Sequence, residues 1–129
     1  MYLLDTNILI YLLRGDVRLG KFLANLNQEK FAISMISRME VLMGADKESF
    51  TYEELCGYLD VFQNMNIDKR TAEEAVGIHK KLTKSIKFKD MLIAASSIVS
   101  KATLITSDKD FEKVKGLKIK YYRFQPNER

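Results

Sequence analysis

A chain of 129 residues, 47% of them hydrophobic, can bury one core but is too short for two, so residues 1–129 read as a single domain. One proline and six glycines leave no linker, no apolar run reaches the roughly 18 residues of a membrane span, and the lone Cys56 excludes an intrachain disulfide. The formal net charge of +4, with a pI near 9.1, permits a polyanionic partner without requiring one.

Along the chain, Tyr2, Leu3 and Leu4 read as a short buried strand running directly into Asp5, Thr6 and Asn7. The apolar residues 8–13 then resume as a helix. Asp5 stands at the carboxyl end of that strand, where open α/β sheets bind ligands. Any of the polar trio could equally cap the helix. Val17, Leu19, Phe22, Leu23 and Leu26 carry the spacing of a second helix, and Phe31, Ala32 and Ile33 form a second strand. Ser34 offers a cap for the helix containing Ile36, Met39, Val41, Leu42 and Met43, which Gly44 stops. Thr51 to Glu54 is a capping box opening a helix with Leu55, Leu59 and Phe62 on its buried stripe. Met65, Asn66 and Ile67 fit a third strand. Thr71 to Glu74 reads as a second capping box, with Ala75, Ile78 and Leu82 below it. Asp90 heads an Ala-rich helix over residues 91–99 that is apolar on most sides and therefore central. Residues 102–106 form a fourth strand, Asp108 opens a short helix, and Leu117, Ile119 and Tyr121 alternate with lysines as a half-exposed edge strand. This alternation of strands and helices predicts an α/β fold with helices on both faces of a parallel sheet.

The acids carry the chemistry. Asp5 and Asp108 follow strands and point from the same sheet edge; Glu40 lies in an otherwise apolar helix, and Asp90 heads another. Buried acids need partners. Two unit charges about 4 Å apart repel by about 4 kcal/mol at an effective dielectric of about 20. A divalent cation removes that repulsion, and an all-oxygen ligand set suits Mg²⁺ or Mn²⁺ rather than Zn²⁺. Each acid also has a local reading: Asp5, Asp90 and Asp108 as caps, and Glu40 as the closing member of a capping box begun by Ser37. His79, the only histidine, sits between Ala75 and Leu82 and reads as a packing or surface residue. Cys56 reads as a small core residue. Lysines 80, 81, 84, 87 and 89 form one basic stretch, and Lys113, Lys115, Lys118, Lys120 and Arg123 another. They serve either as a track for a polyanion or as solvated faces.

The series of Asp5-Thr6-Asn7, Glu40 before Val-Leu-Met-Gly, Asp90 before Met-Leu-Ile-Ala-Ala, and Thr106-Ser107-Asp108-Lys109-Asp110-Phe111 resembles the PIN domain, in particular the VapC-type toxins of prokaryotic toxin–antitoxin pairs. The resemblance runs from Met1 to about Tyr122. It implies a three-layer α/β/α fold with five parallel strands, a Mg²⁺- or Mn²⁺-dependent endoribonuclease, an RNA substrate, a homodimer and an antitoxin partner. It carries over Asp5, Glu40, Asp90 and Asp108 as metal-site acids. Thr6, Asn7 and Thr106 match the polar helpers, and Asp110 either assists or only caps. The homodimer expectation also draws on Tyr11, Leu12, Phe22, Tyr58 and Phe62, more apolar surface on the early helices than a small monomer needs. No membrane association is expected. The N-terminus has no basic region ahead of its apolar residues and no cleavage site after them, so no signal peptide is expected, and the cytoplasm is the expected compartment.

Two other readings stand beside this one. A receiver-like Mg²⁺-binding phospho-acceptor domain would need an acidic pair after the first strand, where this chain has Asp5-Thr6-Asn7. It would also need an acceptor after the third strand; Asp68 is in that place but reads as a helix cap. A non-catalytic PIN-like module that binds only RNA or protein would not need all four acids.

Overall fold

The computed structural model describes residues 1–27 and 30–125. The strands are β1 (Tyr2–Leu4), β2 (Phe31–Ser34), β3 (Gln63–Met65), β4 (Thr103–Thr106) and β5 (Ile119–Tyr121). The helices are α1 (Thr6–Leu13), α2 (Val17–Ala24), α3 (Met35–Met43), α4 (Tyr52–Leu59), α5 (Lys69–Lys81) and α6 (Phe88–Val99), with 3₁₀ turns at Ala45–Lys47 and Lys109–Lys113. All five strands are parallel, in the order β3-β2-β1-β4-β5. The α/β architecture expected from the pattern is the observed one.

Strand alternation explains the layers. Leu3, Ala32 and Leu104 point to one face of the sheet, and their neighbours Leu4, Ile33 and Ile105 point to the other. The first face is covered by Ile78 of α5 and Ile93, Ala94 and Ala95 of α6, together with Phe111. The second is covered by residues of α1 to α4, among them Leu9, Leu19, Val41 and Leu55. Both faces are buried, which is why the strands are runs of apolar residues rather than alternating ones. Tyr11, Leu12, Phe22, Tyr58 and Phe62 pack against the second core. Each is half-buried, so part of its surface serves that core and part faces outward. The large apolar side chains left exposed are others, including Met39, Met43, Val61, Val76 and Phe88.

Where the sequence offered two caps for one helix the structure chooses between them, and the starts of α6 and β3 are displaced. Asp68, not Thr71, caps α5: its carboxylate accepts from both the backbone N–H and the hydroxyl of Thr71, and Asp caps at least as well as Thr. α3 is capped by Ser34, whose hydroxyl accepts from the Ile36 N–H. Ser37 thus falls inside the helix and is fully buried, and no capping box ends at Glu40. α6 begins at Phe88, with Lys87 at the cap position, so Asp90 lies in the first turn and is not the cap. β3 is displaced to Gln63–Met65. The capping box from Thr51 to Glu54 is present.

Sequential strands run outward from β1 through β2 to β3, and the chain then returns to place β4 on the other side of β1. The order reverses between β1 and β4. A crevice opens at such a switch point beyond the carboxyl ends of the strands, and Asp5 and Asp108 lie at those ends.

Candidate active site

One half of the site is built from strand ends. Asp5 follows β1 in extended conformation and caps α1, its Oδ1 accepting from the Thr6 N–H at 2.8 Å. Its Oδ2 accepts from Thr106 Oγ1 at 2.7 Å. Thr106 ends β4 and is fully buried; its Oγ1 also accepts from the Asp108 N–H at 3.0 Å. Asp108 in turn caps the following 3₁₀ turn, with Oδ1 accepting from the Asp110 N–H at 2.9 Å. A single hydroxyl therefore ties the two acids together. Asp5 and Asp108 are both caps, and capping leaves the charge of each carboxylate in place.

The other half is carried by helices. Asp90 is 5% exposed and accepts no hydrogen bond from a described residue. Burial pushes its carboxyl up to about 6, and the charges of Asp5 and Asp108 push in the same direction; Lys89 and Lys87 oppose them. Asp5 is also raised, first by burial and then by Asp108, against the lowering effect of its Thr106 and Thr6 hydrogen bonds and of Lys89. The charge of Asp108 thus acts on both Asp5 and Asp90, and that of Asp5 on Asp90.

Glu40, on α3, belongs to a different set of contacts. Its Oε1 accepts from Thr6 Oγ1 at 2.7 Å and its Oε2 from Lys89 Nζ at 2.6 Å. A carboxylate only accepts, so the one Thr6 hydroxyl proton goes to Glu40. Ser37 Oγ, 2.9 Å from Thr6 Oγ1, is then the donor to Thr6. A relay of Ser37, Thr6, Glu40 and Lys89 links α3, α1 and α6.

The remaining candidates lie outside these contacts. Asn7 is exposed. Asp110 pairs with Lys113 at 3.1 Å, its side chain half exposed. His79 is exposed on α5, and Cys56 is half-buried on α4. Lys80, Lys81, Lys84 and Lys87 are exposed, as are Lys115, Lys118 and Lys120. Sequence reasoning missed Ser37 and the position of Lys89. The signal for Lys89 was its place: a cation in the first turn of a helix faces the positive end of the helix dipole and needs a carboxylate nearby.

Among the described residues, no three His, Cys, Asp or Glu side chains converge into a closed metal-chelating cluster. The donor set nonetheless fits Mg²⁺ or Mn²⁺. Mg²⁺ takes one or two protein carboxylates and completes its shell with waters and substrate phosphate. Three buried or half-buried carboxylates that repel one another are the surroundings such an ion stabilises.

Comparison with known proteins gives a consistent result. The sequence pattern of the PIN domain matches residues 2–117. The chain is 27% identical over 124 residues to the tRNA(fMet)-specific endonuclease VapC of Shigella flexneri, covering 91% of this chain and 94% of that protein. A toxin–antitoxin complex from Klebsiella pneumoniae contains a chain of similar structure, with a TM-score of 0.81 and 31% identity over 96% of this chain and 100% of the other. VapBC2 from Rickettsia felis, bound to a promoter DNA fragment, contains another, with a TM-score of 0.80 and 24% identity over 94% and 98%.

Proposed function

We propose, from the premise that this chain belongs to the PIN domain family, that it is a metal-dependent endoribonuclease and the toxin of a toxin–antitoxin pair. The observation that carries the reading is the group of Asp5, Asp90 and Asp108 at the switch point between β1 and β4, with Asp90 buried, without a hydrogen-bond partner among the described residues, and pushed up to about 6. The Shigella flexneri relative is a tRNA(fMet)-specific endonuclease, and the Klebsiella pneumoniae neighbour is a toxin–antitoxin complex.

Asp5, Asp90 and Asp108 would hold Mg²⁺ or Mn²⁺, which when bound lowers the pKa of a water for attack on the phosphodiester and stabilises the leaving oxygen. Thr106 fixes the carboxylate of Asp5 and the backbone of Asp108 relative to each other. Thr6 orients Asp5 through its N–H and Glu40 through its hydroxyl. Asp90 accepts no hydrogen bond from a described residue, which leaves its oxygens available for a ligand. Glu40 completes the four acids as the one that Lys89 engages.

The partners proposed are RNA, an antitoxin protein and a second copy of the chain, and the compartment is the cytoplasm. No helix among the described residues is long and apolar enough to cross a membrane. The sheet order counts against a receiver-like phospho-acceptor. That fold places its third strand beside the first, whereas here β2 separates β3 from β1, and Asp68 is a helix cap.

The test is cleavage of RNA by the purified chain in Mg²⁺ or Mn²⁺, with Asp5→Asn as the control. Cleavage that disappears in EDTA and in the variant is expected. Robust cleavage that survives EDTA and repurification would remove the metal-dependent reading. Sedimentation of the free chain as a monomer at micromolar concentration would remove the homodimer.

A further inference from the structure

Lys89 breaks a local rule without serving the core. It is the second residue of α6, where a cation opposes the helix dipole, and its side chain is 43% exposed. A residue that violates local preference marks a functional or strained position. Its head group is nevertheless held. Nζ donates to Glu40 Oε2 at 2.6 Å, and Glu40 is held by Thr6, itself fixed by the fully buried Ser37. Three residues from two other helices therefore fix the end of a side chain that is flexible by default.

What Lys89 does not bond is equally informative. Its charge acts on Asp5 and Asp90, yet it donates a hydrogen bond to neither. The ammonium stands beside the acid group rather than inside it. Of its three donors, one goes to Glu40, and the other two have no partner among the described residues. A substrate that reaches these acids brings a phosphate with two non-bridging oxygens into a field of negative charge. A fixed, part-exposed cation at the rim of that field is where such an oxygen is received.

We propose that Lys89 binds a non-bridging oxygen of the scissile RNA phosphate, and that Glu40 is the positioning residue that holds Lys89 for it. This rests on the ribonuclease reading above. Glu40 then acts through Lys89, which explains why both its carboxylate oxygens are engaged by protein donors.

The experiment compares wild type, Lys89→Gln, Lys89→Arg and Glu40→Gln. Steady-state cleavage of a single-stranded RNA is followed between 50 and 200 mM salt (roughly the span over which phosphate contacts separate). Mn²⁺ affinity is measured by calorimetry without RNA. Lys89→Gln is expected to raise KM and to flatten the log–log salt dependence of kcat/KM by about 0.7, the contribution of one phosphate contact on a single strand. Lys89→Arg restores both, and Mn²⁺ affinity in Lys89→Gln is not weakened. Glu40→Gln keeps one acceptor oxygen for Lys89, turns an amide donor toward Thr6 Oγ1 and loses the charge, and it raises KM in the same direction by less. An unchanged salt slope in Lys89→Gln overturns the proposal, as does a loss of Mn²⁺ affinity that accounts for the lost activity. If Lys89→Gln does not fold, an unchanged KM in Glu40→Gln overturns it instead. Wild type that cleaves no RNA in Mg²⁺ or Mn²⁺ overturns the ribonuclease reading and this one together; wild-type cleavage with an unchanged slope overturns this one alone.

Discussion

The strand-end half of the site and its helix half hold similar acids in opposite ways. Around Asp5 and Asp108, short side chains are clamped by backbone N–H groups and by one buried hydroxyl, all within a few residues of strand ends. On α6, Asp90 has no hydrogen-bond partner among the described residues, while Lys89 beside it is held by Glu40. Pre-organised groups keep their geometry when a ligand arrives, whereas weakly tied ones adjust to it. The comparison assigns precision to the strand ends and adjustment to Asp90. Substitutions on the two sides should therefore fail differently.

The largest effect belongs to the strand half. Asp5→Asn should keep its fold, because Asn caps α1 about as well as Asp: the amide oxygen accepts from the Thr6 N–H, and the amide nitrogen donates to Thr106 Oγ1. Cleavage should nonetheless fall by more than the roughly 10–100-fold typical of groups that only support a metal ligand. Retention of most activity would remove Asp5 from the site and leave it as a cap.

Next comes Thr106→Val, which preserves shape and removes the shared hydroxyl. Asp5 Oδ2 and the Asp108 N–H then lose their partner in a buried setting, at about 1–3 kcal/mol. Activity should drop by about 10–100-fold. Chemical denaturation and cleavage assays read the two effects separately. A neutral result would mean that the strand half is not clamped in the way described.

Asp90→Asn sharpens the contrast, because here loss of a charge should stabilise. Asp90 is not the helix cap, and as an acid in the first turn it forfeits a dipole term of about 0.3–1 kcal/mol on neutralisation. Burial and the charges of Asp5 and Asp108 outweigh that term, as its raised carboxyl pKa indicates. The variant should melt a few degrees higher than wild type in EDTA near neutral pH, about the shift that 1 kcal/mol produces at this chain length. It should also lose most of the stabilisation that Mg²⁺ gives wild type. A variant that melts no higher and gains as much from Mg²⁺ would take Asp90 out of the group.

The same acid sets a pH dependence. Its folded value, about 6, lies above the unfolded value of 3.8, so the folded state holds the proton more tightly. The resulting stabilisation is fully present below the unfolded value and is lost as pH rises through about 6. Metal-free wild type should therefore lose a component of stability between about pH 4 and 6 that Asp90→Asn lacks. Mn²⁺ affinity should move the opposite way, weakening as pH falls through about 6, because a ligand must be deprotonated. Melting curves and calorimetric titrations across this range check both signs.

The smallest effect is expected at Asp110. Its carboxylate pairs with Lys113 at the surface, a kind of contact worth under about 1 kcal/mol. Asp110→Asn should leave cleavage within a factor of a few. A large loss would extend the strand half beyond Asp108.

Much of this was legible from local pattern. Leu3 and Leu4, Ala32 and Ile33, and Leu104 and Ile105 alternate between the two cores, and that alternation is a property of any strand buried on both faces. The position of Asp5 at a strand-to-helix joint, the stop near Gly44 and the capping box at Thr51 follow from spacings of a few residues. Cap choice was less legible wherever two candidates stood close together. Asp68 prevailed over Thr71, and Ser34 made a cap at Ser37 unnecessary, because a helix starts at the first cap whose side chain can reach the free N–H groups.

The amino-acid sequence by itself determined which residue types are present, where strands give way to helices, and hence which acids stand at element ends. Tertiary structure alone decided which acids meet. The ion pair of Lys89 with Glu40 spans 49 residues of chain, and the hydrogen bond of Thr106 to Asp5 spans 101. Both depend on β4 returning beside β1 and on α6 packing near α3. Strand order and helix packing arise from burial summed over two cores, and no spacing of neighbouring residues encodes that sum.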